Sequence, residues 1–416
     1  MIRYHAPWVL PVSGPPIRGG WVGVDRGRIV ALGADGSDSS RSGIGLSARA
    51  FEEIIDQELG HVALLPGLVN AHTHLELSYL RGRVPPAAEF VTWVRGVIAA
   101  RRQQPDAEAP EILAAVGRGI EEAIASGTAL VGDISNTLVT FGPLAGSSLA
   151  AMVFYELIQF SAADAERVAE GARRRIGALE STDTVRASLA AHAPYSVAPL
   201  LLRAIRRAAG REGSAPCSVH LAESTAEVDF IRTGEGPWRR MLEELGAWDP
   251  SWAIPGVSPV QYLDESGFFD ARVLAVHGVR MSNADLERLA RRGVTLVTCP
   301  RSNAHTGAGT PPIADFYASG VRVAVGTDSL ASTPDLSVFA ELAAMRAVAP
   351  SVPAAVLLDS ATRQGARALG FDADYGSLEP GKRARLLAVD LPRAESDVEE
   401  YLVSGVCPEQ LRWIET

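Results

Sequence analysis

Apolar runs of strand length recur through the centre of the chain: Val62–Val69, Ala129–Gly132, Ala151–Leu157, Val185–Ala190, Ser218–Leu221, Val273–Val276, Thr295–Thr298 and Val321–Val325. Short unbroken apolar runs bounded by turn residues suit strands buried on both faces. Between them lie segments rich in Ala, Leu, Glu and Arg, at 111–126, 164–179, 198–210, 283–292 and 336–348, which predict helices. Eight strands, each followed by helical sequence, predict a (β/α)8 barrel of the TIM type in the α/β class. A doubly wound open sheet is the rival, but the chain has no G-x-G-x-x-G turn or Walker loop where that fold would need one.

The two ends of the chain read differently. Trp8–Leu10, Gly20–Val24 and Arg28–Leu32 are short strands separated by turn residues, and the Gly/Ser-rich stretch 34–48 reads as a loop. Near the C terminus the turn Gly376–Gly381 precedes Arg385–Val389 and Tyr401–Val403, which have the same short-strand character. Neither end supplies enough strands for a domain. Together they predict a small β-sandwich built from 1–61 and 371–416, with the barrel of 62–370 inserted between them.

Composition narrows the class. At 416 residues with 47% hydrophobic and 21% charged residues, the chain can bury a large core. A net charge of −10 argues against a nucleic-acid surface and leaves small-molecule substrates open. No signal peptide or membrane span is recognisable, and three scattered cysteines (Cys217, Cys299, Cys407) suit a reducing cytoplasm. A cytoplasmic homodimer with no membrane partner is the expectation.

The residues just after the apolar runs carry the chemistry. The first run leads into His72 and His74, which share a face on an extended strand. The fourth leads into His192, the fifth ends in His220, the sixth is followed by His277 and the eighth by Asp328. Five of the eight histidines therefore fall at C-terminal strand ends, the catalytic face of such a barrel. Scattered structural histidines would show no such preference. His72, His74, His220 and Asp328 offer three imidazoles and a carboxylate, a donor set suited to one divalent metal, Zn²⁺ or Fe²⁺, with room for water. Asp328 can also accept the water's proton. Glu223, three residues past His220, is placed to carry protons to a substrate, and His277 to orient the attacking oxygen or serve as a fourth imidazole ligand.

The ordered set Pro66–His74, His220-Leu221-Ala222-Glu223, His277-Gly278, Cys299-Pro300-Arg301-Ser302-Asn303 and Gly326-Thr327-Asp328 resembles the amidohydrolase superfamily. More narrowly it is similar to the branch holding cytosine, guanine and S-adenosylhomocysteine deaminases and s-triazine hydrolases. The likeness runs from about residue 20 to 390. It departs from many relatives at Arg383-Ala384-Arg385, where they carry an acidic residue. The chain's single lysine, Lys382, lies after the barrel segment, so the carbamylated-lysine bridge of binuclear relatives is impossible. Cys217 is a conceivable bridge, but the His-x-x-Glu pair marks the mononuclear deaminases. The resemblance thus implies one metal, zinc before Fe(II). It also implies hydrolytic replacement of a ring amino group by oxygen, with release of ammonia.

For the substrate, the resemblance makes His192 a hydrogen-bonding group, and Ser135, Asn136 and Glu156 candidates for ribose hydroxyls. Arg301 is expected at the barrel mouth as an anion holder, with Arg81 and Arg83 offering the same. Residues 79–96, with Phe90 and Trp93, read as a lid that stacks on an aromatic group. These features resemble the aminodeoxyfutalosine deaminases of menaquinone biosynthesis, whose substrate carries adenine, ribose and a benzoate. S-adenosylhomocysteine or adenosine-type deamination comes next, then guanine, cytosine or triazine hydrolysis. A non-catalytic scaffold would have lost metal ligands, and here all are present.

Overall fold

The structure, a computed structural model, describes residues 1–35, 53–161, 163–210, 215–392 and 395–416. Apart from residues 34 and 35, the loop expected at 34–48 lies outside the described residues.

Two sheets organise the chain. The terminal sheet contains β1 (Ile2–Val9), β2 (Ile17–Asp25), β3 (Arg28–Ala34), β4 (Ile55–Glu58), β5 (Val62–Pro66), β14 (Leu386–Asp390) and β15 (Leu411–Trp413). Its order is β15-β14-β5-β1-β2-β3, with β4 beside β1. Both chain ends are needed: β5 runs antiparallel to β14, with Leu64 opposite Ala388.

The second sheet has eight strands in sequence order, β6 (Leu68–Thr73), β7 (Thr128–Ser135), β8 (Ala150–Leu157), β9 (Val185–Ala191), β10 (Cys217–Leu221), β11 (Val273–His277), β12 (Thr295–Thr298) and β13 (Arg322–Val325). All neighbouring pairs are parallel. The ring closes where Thr73 bridges Asp328 and Asn70 grips Thr327, donating Nδ2 to Oγ1 at 2.7 Å and accepting the Thr327 amide at 3.0 Å. This is the expected (β/α)8 barrel with a small sheet domain made from the termini. Its strands are buried on both faces, which is why they read as unbroken apolar runs rather than alternating ones.

Two sequence expectations change. The run Val62–Val69 is two strands, split at Gly67, with β5 in the terminal sheet and β6 in the barrel. A Cβ on Gly67 would stand 2.5 Å from the Ala129 methyl and 2.7 Å from the Trp413 ring, so only glycine permits the crossing. Tyr401–Val403 lies in the helix Val398–Val403, not a strand. Asp397 caps that helix by accepting the Glu400 amide, and acidic Glu399 and Glu400 occupy its first turn.

The predicted helices are present, among them α2 (Pro110–Ala125). The segment between β6 and α2 also forms α1 (Phe90–Gln103), which covers the C-terminal end of the barrel. Among the described residues no helix is long and apolar enough to cross a membrane.

Candidate active site

The strand ends deliver their imidazoles to one point. Nε2 of His74 lies 3.2 Å from Nε2 of His72 and 3.3 Å from Nε2 of His220. Asp328 Oδ1 is 3.4 Å from His74 Nε2 and 3.8 Å from His72 Nε2. Ligands at ~2.0–2.1 Å from a tetrahedral zinc stand roughly 3.3–3.4 Å apart, so these spacings match one metal shell. His72, His74 and His220 form a group able to hold a cation. Burial lowers all three, His74 to about 3 and His220 to about 4; neighbouring histidines add to the effect at each, and at His220 the Glu156 carboxylate opposes it. Neutral rings keep the lone pairs a metal needs. The His220 ring is oriented from behind, since its Nδ1 meets the His192 carbonyl at 2.9 Å and so leaves Nε2 for the site.

The backbone is strained where the chemistry sits. Ala222, His277 and Asp328 take positive φ (50°, 79° and 61°), three of the six such non-glycine residues among those described. Ala222 directly follows β10, His277 ends β11, and Asp328 stands three residues past β13.

Glu223 is buried, with Oε1 3.6 Å from His277 Nε2. Burial, then the charges of Asp328 and Glu227, hold its carboxyl well above the ordinary range, favouring the proton-carrying form. Glu227 pins the loop from below, taking the Ala222 amide at 2.7 Å and the Glu223 amide at 2.9 Å. The helix after β12, Pro300–His305, supports the other side. Ser302 donates to Asp328 Oδ2, and the Asn303 amide meets His277 Nδ1 at 3.0 Å.

Above this floor opens a cavity of about 590 Å³, lined by His74, His220, Glu223, His277 and Asp328 at its base. His192, Asn136 and Glu156 form a polar flank, with Ser196 Oγ 2.5 Å from His192 Nδ1. Glu156 is buried; its Oε2 accepts the Asn136 amide at 2.8 Å, and its Oε1 has no hydrogen-bond partner. Burial pushes Glu156 up, while His220, Asn136 and Arg101 pull it down. The outer wall is apolar and aromatic: Phe90, Trp93 and Val97 of α1 face Phe160, Trp238 and Met241.

Several expected residues lie elsewhere. Arg301 does not line the cavity; its guanidinium forks onto Asp335 at 2.8 and 2.9 Å and lies 3.7 Å from buried Glu341. The first turn of the helix points Arg301 outward and Ser302 and Asn303 inward. Arg81 pairs with Glu122 and Arg83 with Glu111, beside a separate cavity of about 280 Å³. Ser135 is likewise outside, donating to Glu76 at 2.6 Å.

Others were missed. Arg101, the only lysine or arginine lining the cavity among the described residues, bonds Glu76 and Asn136 across 25 and 35 positions, and no sequence pattern announces such pairs. Asp133, which takes the Leu75 amide just beyond His74, directly follows the run Ala129–Gly132, so the strand-end rule could have found it. Glu227 also had a local signal. It stands three residues after Ser224 at a helix start, the spacing of a capping box.

Comparison with known proteins agrees with this geometry. The sequence pattern of the Amidohydrolase family matches residues 63–407. The aminodeoxyfutalosine deaminase of Deinococcus radiodurans is 33% identical over 331 residues, 77% of each chain. The 5-methylthioadenosine/S-adenosylhomocysteine deaminase of Desulforudis audaxviator is also 33% identical, over 91% of this chain and 82% of its own. A zinc-bound crystal structure of an adenosine deaminase from Xanthomonas campestris superposes with a TM-score of 0.80 at 27% identity, covering 99% of this chain and 90% of that one. The chain belongs to the amidohydrolase family, as one of its hydrolytic deaminases.

Proposed function

We propose that the protein deaminates an adenine nucleoside carrying a bulky 5′ substituent, with aminodeoxyfutalosine as the leading substrate. The observation that carries this reading is the two-part cavity, a polar floor and flank beneath a deep aromatic wall. Its volume of about 590 Å³ falls in the ~300–1,000 Å³ range of sites that enclose drug-sized ligands. A bare pyrimidine or triazine would leave the wall formed by Trp93, Phe160 and Trp238 without contact. The similarity to the Deinococcus radiodurans deaminase supports the same choice.

His72, His74, His220 and Asp328 would hold one divalent metal, zinc before Fe(II), which when bound would supply a water acidified to near neutral pH. Asp328, whose Oδ2 is held by Ser302, would accept the water's proton. His277 orients the attacking oxygen. Glu223 delivers a proton to the ring nitrogen as the C–O bond forms at the amino-bearing carbon. The C–N bond then breaks: the proton held by Asp328 passes to the amino group, which leaves as ammonia, and the hydroxyl proton of the addition product returns to Glu223 as the ring carbonyl forms. His192 turns Nε2 to the base, since its Nδ1 is held by Ser196, and Glu156 with Asn136 faces the sugar hydroxyls. Trp93 stacks over the nucleoside.

A second reading, deamination of 5′-methylthioadenosine or S-adenosylhomocysteine, is favoured by one observation. Arg301, Arg81 and Arg83 are ion-paired outside the cavity, which leaves an outer wall well suited to the uncharged methylthio group of 5′-methylthioadenosine. Ammonia release should be measured on aminodeoxyfutalosine, 5′-methylthioadenosine, S-adenosylhomocysteine, adenosine, guanine and cytosine. The highest kcat/KM should fall on a 5′-extended adenine nucleoside, with aminodeoxyfutalosine first. A free base outperforming every nucleoside would refute the proposal.

A further inference from the structure

We infer that Arg101 and Asn136 are positioning residues that aim the free oxygen of Glu156 at the substrate and set the enzyme's selectivity for a hydroxyl-bearing sugar. The inference rests on the reading above that Glu156 faces the sugar.

A chain of four side chains carries it. Glu76 is buried and accepts four hydrogen bonds: Ser135 Oγ at 2.6 Å, Thr137 Oγ1 at 2.9 Å, Arg101 Nη2 at 3.0 Å and the Thr137 amide at 3.1 Å. A carboxylate so fully engaged is a fixed anchor. Arg101 reaches it from α1 and, with its other terminal nitrogen, donates to Asn136 Oδ1 at 2.9 Å. A guanidinium has no acceptor, so it can face only the oxygen end of the Asn136 amide. The amide's NH₂ must then point the other way, and it does, donating to Glu156 Oε2 at 2.8 Å. Arg101 thereby removes the flip that would leave an asparagine free to present either end.

The last link is an unpaired acceptor. With Oε2 engaged, Glu156, a residue of the cavity lining, keeps Oε1 as a buried acceptor with no hydrogen-bond partner. His220 Nδ1 is 3.4 Å from it but is already committed to the His192 carbonyl at 2.9 Å. A buried carboxylate oxygen left bare is costly unless something fills it. A substrate hydroxyl is the complementary group, because it can donate. A ring nitrogen lone pair cannot. The guanidinium also joins α1, and with it Trp93, to the segments after β6 and β7 and, through Asn136, to Glu156 of β8, so the aromatic wall and the hydroxyl acceptor are held in one register.

The test compares 5′-methylthioadenosine with its 2′,3′-dideoxy counterpart in wild type, Arg101→Lys, Asn136→Ala and Glu156→Gln. Arg101→Lys keeps the charge beside Glu76 but cannot fork onto both partners, so it guards against simple loss of folding. The readout is the ratio of kcat/KM for the two substrates. That ratio should fall at least about tenfold in Arg101→Lys and Asn136→Ala, the scale of a lost hydrogen bond to a charged group, and as much in Glu156→Gln. An unchanged ratio in Arg101→Lys and Asn136→Ala, alongside a collapsed ratio in Glu156→Gln, would overturn the inference and leave the sugar reading intact. An unchanged ratio in all three variants would overturn both.

Discussion

Ser302 donates its hydroxyl to Oδ2 of Asp328 over 2.5 Å, so that Oδ1 alone turns toward His72 and His74. The bond divides one carboxylate into a held oxygen and a working one. Ser302 also helps keep Asp328 ionised, since it pulls down a carboxyl that burial pushes up.

Ser302→Ala should therefore weaken metal binding without removing a ligand. Losing an outer partner of a ligating carboxylate typically costs ~10–100-fold in affinity. Competition with a chromophoric chelator should report a loss in that range, while wild-type affinity in the variant would show that Asp328 needs no such support.

Glu223→Gln separates proton transfer from metal binding. The variant should retain one metal equivalent by elemental analysis and still bind substrate, while kcat drops ~10²–10⁴-fold. Activity within a few-fold of wild type in the metal-loaded variant would remove Glu223 from the mechanism, and two equivalents in active enzyme would refute the single-metal site.

Arg301→Met tests the placement outside the cavity. Arg301 is bound to Asp335 at 2.8 Å and neighbours Glu341, so its loss should appear as instability, ~1.5–3 kcal/mol for hydrogen bonds to a charged group. The ratio of kcat/KM between anionic and neutral nucleosides should not move. A selective loss on the anionic substrate would place the arginine back at the mouth.

Glu341 gives a pH dependence. Burial pushes its carboxyl up to about 8, against the opposing pull of Arg301. A folded-state value above the unfolded one means that the native state holds the proton more tightly. Its contribution to stability is then fully present below the unfolded carboxyl range and is lost as pH rises toward 8. Glu341→Gln, which stays neutral, should gain Tm relative to wild type progressively between pH 5 and 8. A constant Tm difference across that window would show that the carboxyl is not titrating there.

The barrel and the metal ligands were legible because each rests on a short-range rule. A strand buried on both faces reads as an unbroken apolar run, and the residue that ends it must face the barrel mouth, so His72, His220, His277 and Asp328 could be placed from their neighbours alone. The same rule misled at Arg301, because it says which residues leave a strand but not how the following helical turn rotates them. Gly67 was invisible for a related reason, as periodicity cannot tell one long buried strand from two that belong to different sheets. The Glu76, Arg101, Asn136 and Glu156 chain joins four separate elements across 20 to 35 residues per link, and its members meet only once β6, β7 and β8 have packed side by side.

Gly67 also bears on the order in which the protein matures during synthesis. It welds β5 to β6, so the strand that ends in His72 is continuous with one whose other neighbour, β14, is translated more than three hundred residues later. Pairings of such sequence separation form late. While the ribosome is still making the barrel, β5 has an unpaired edge and the root of the metal site is fastened on one side only. Only when Leu386–Asp390 emerges does that edge close, which makes the C-terminal segment the final latch on histidines encoded near the start of the chain.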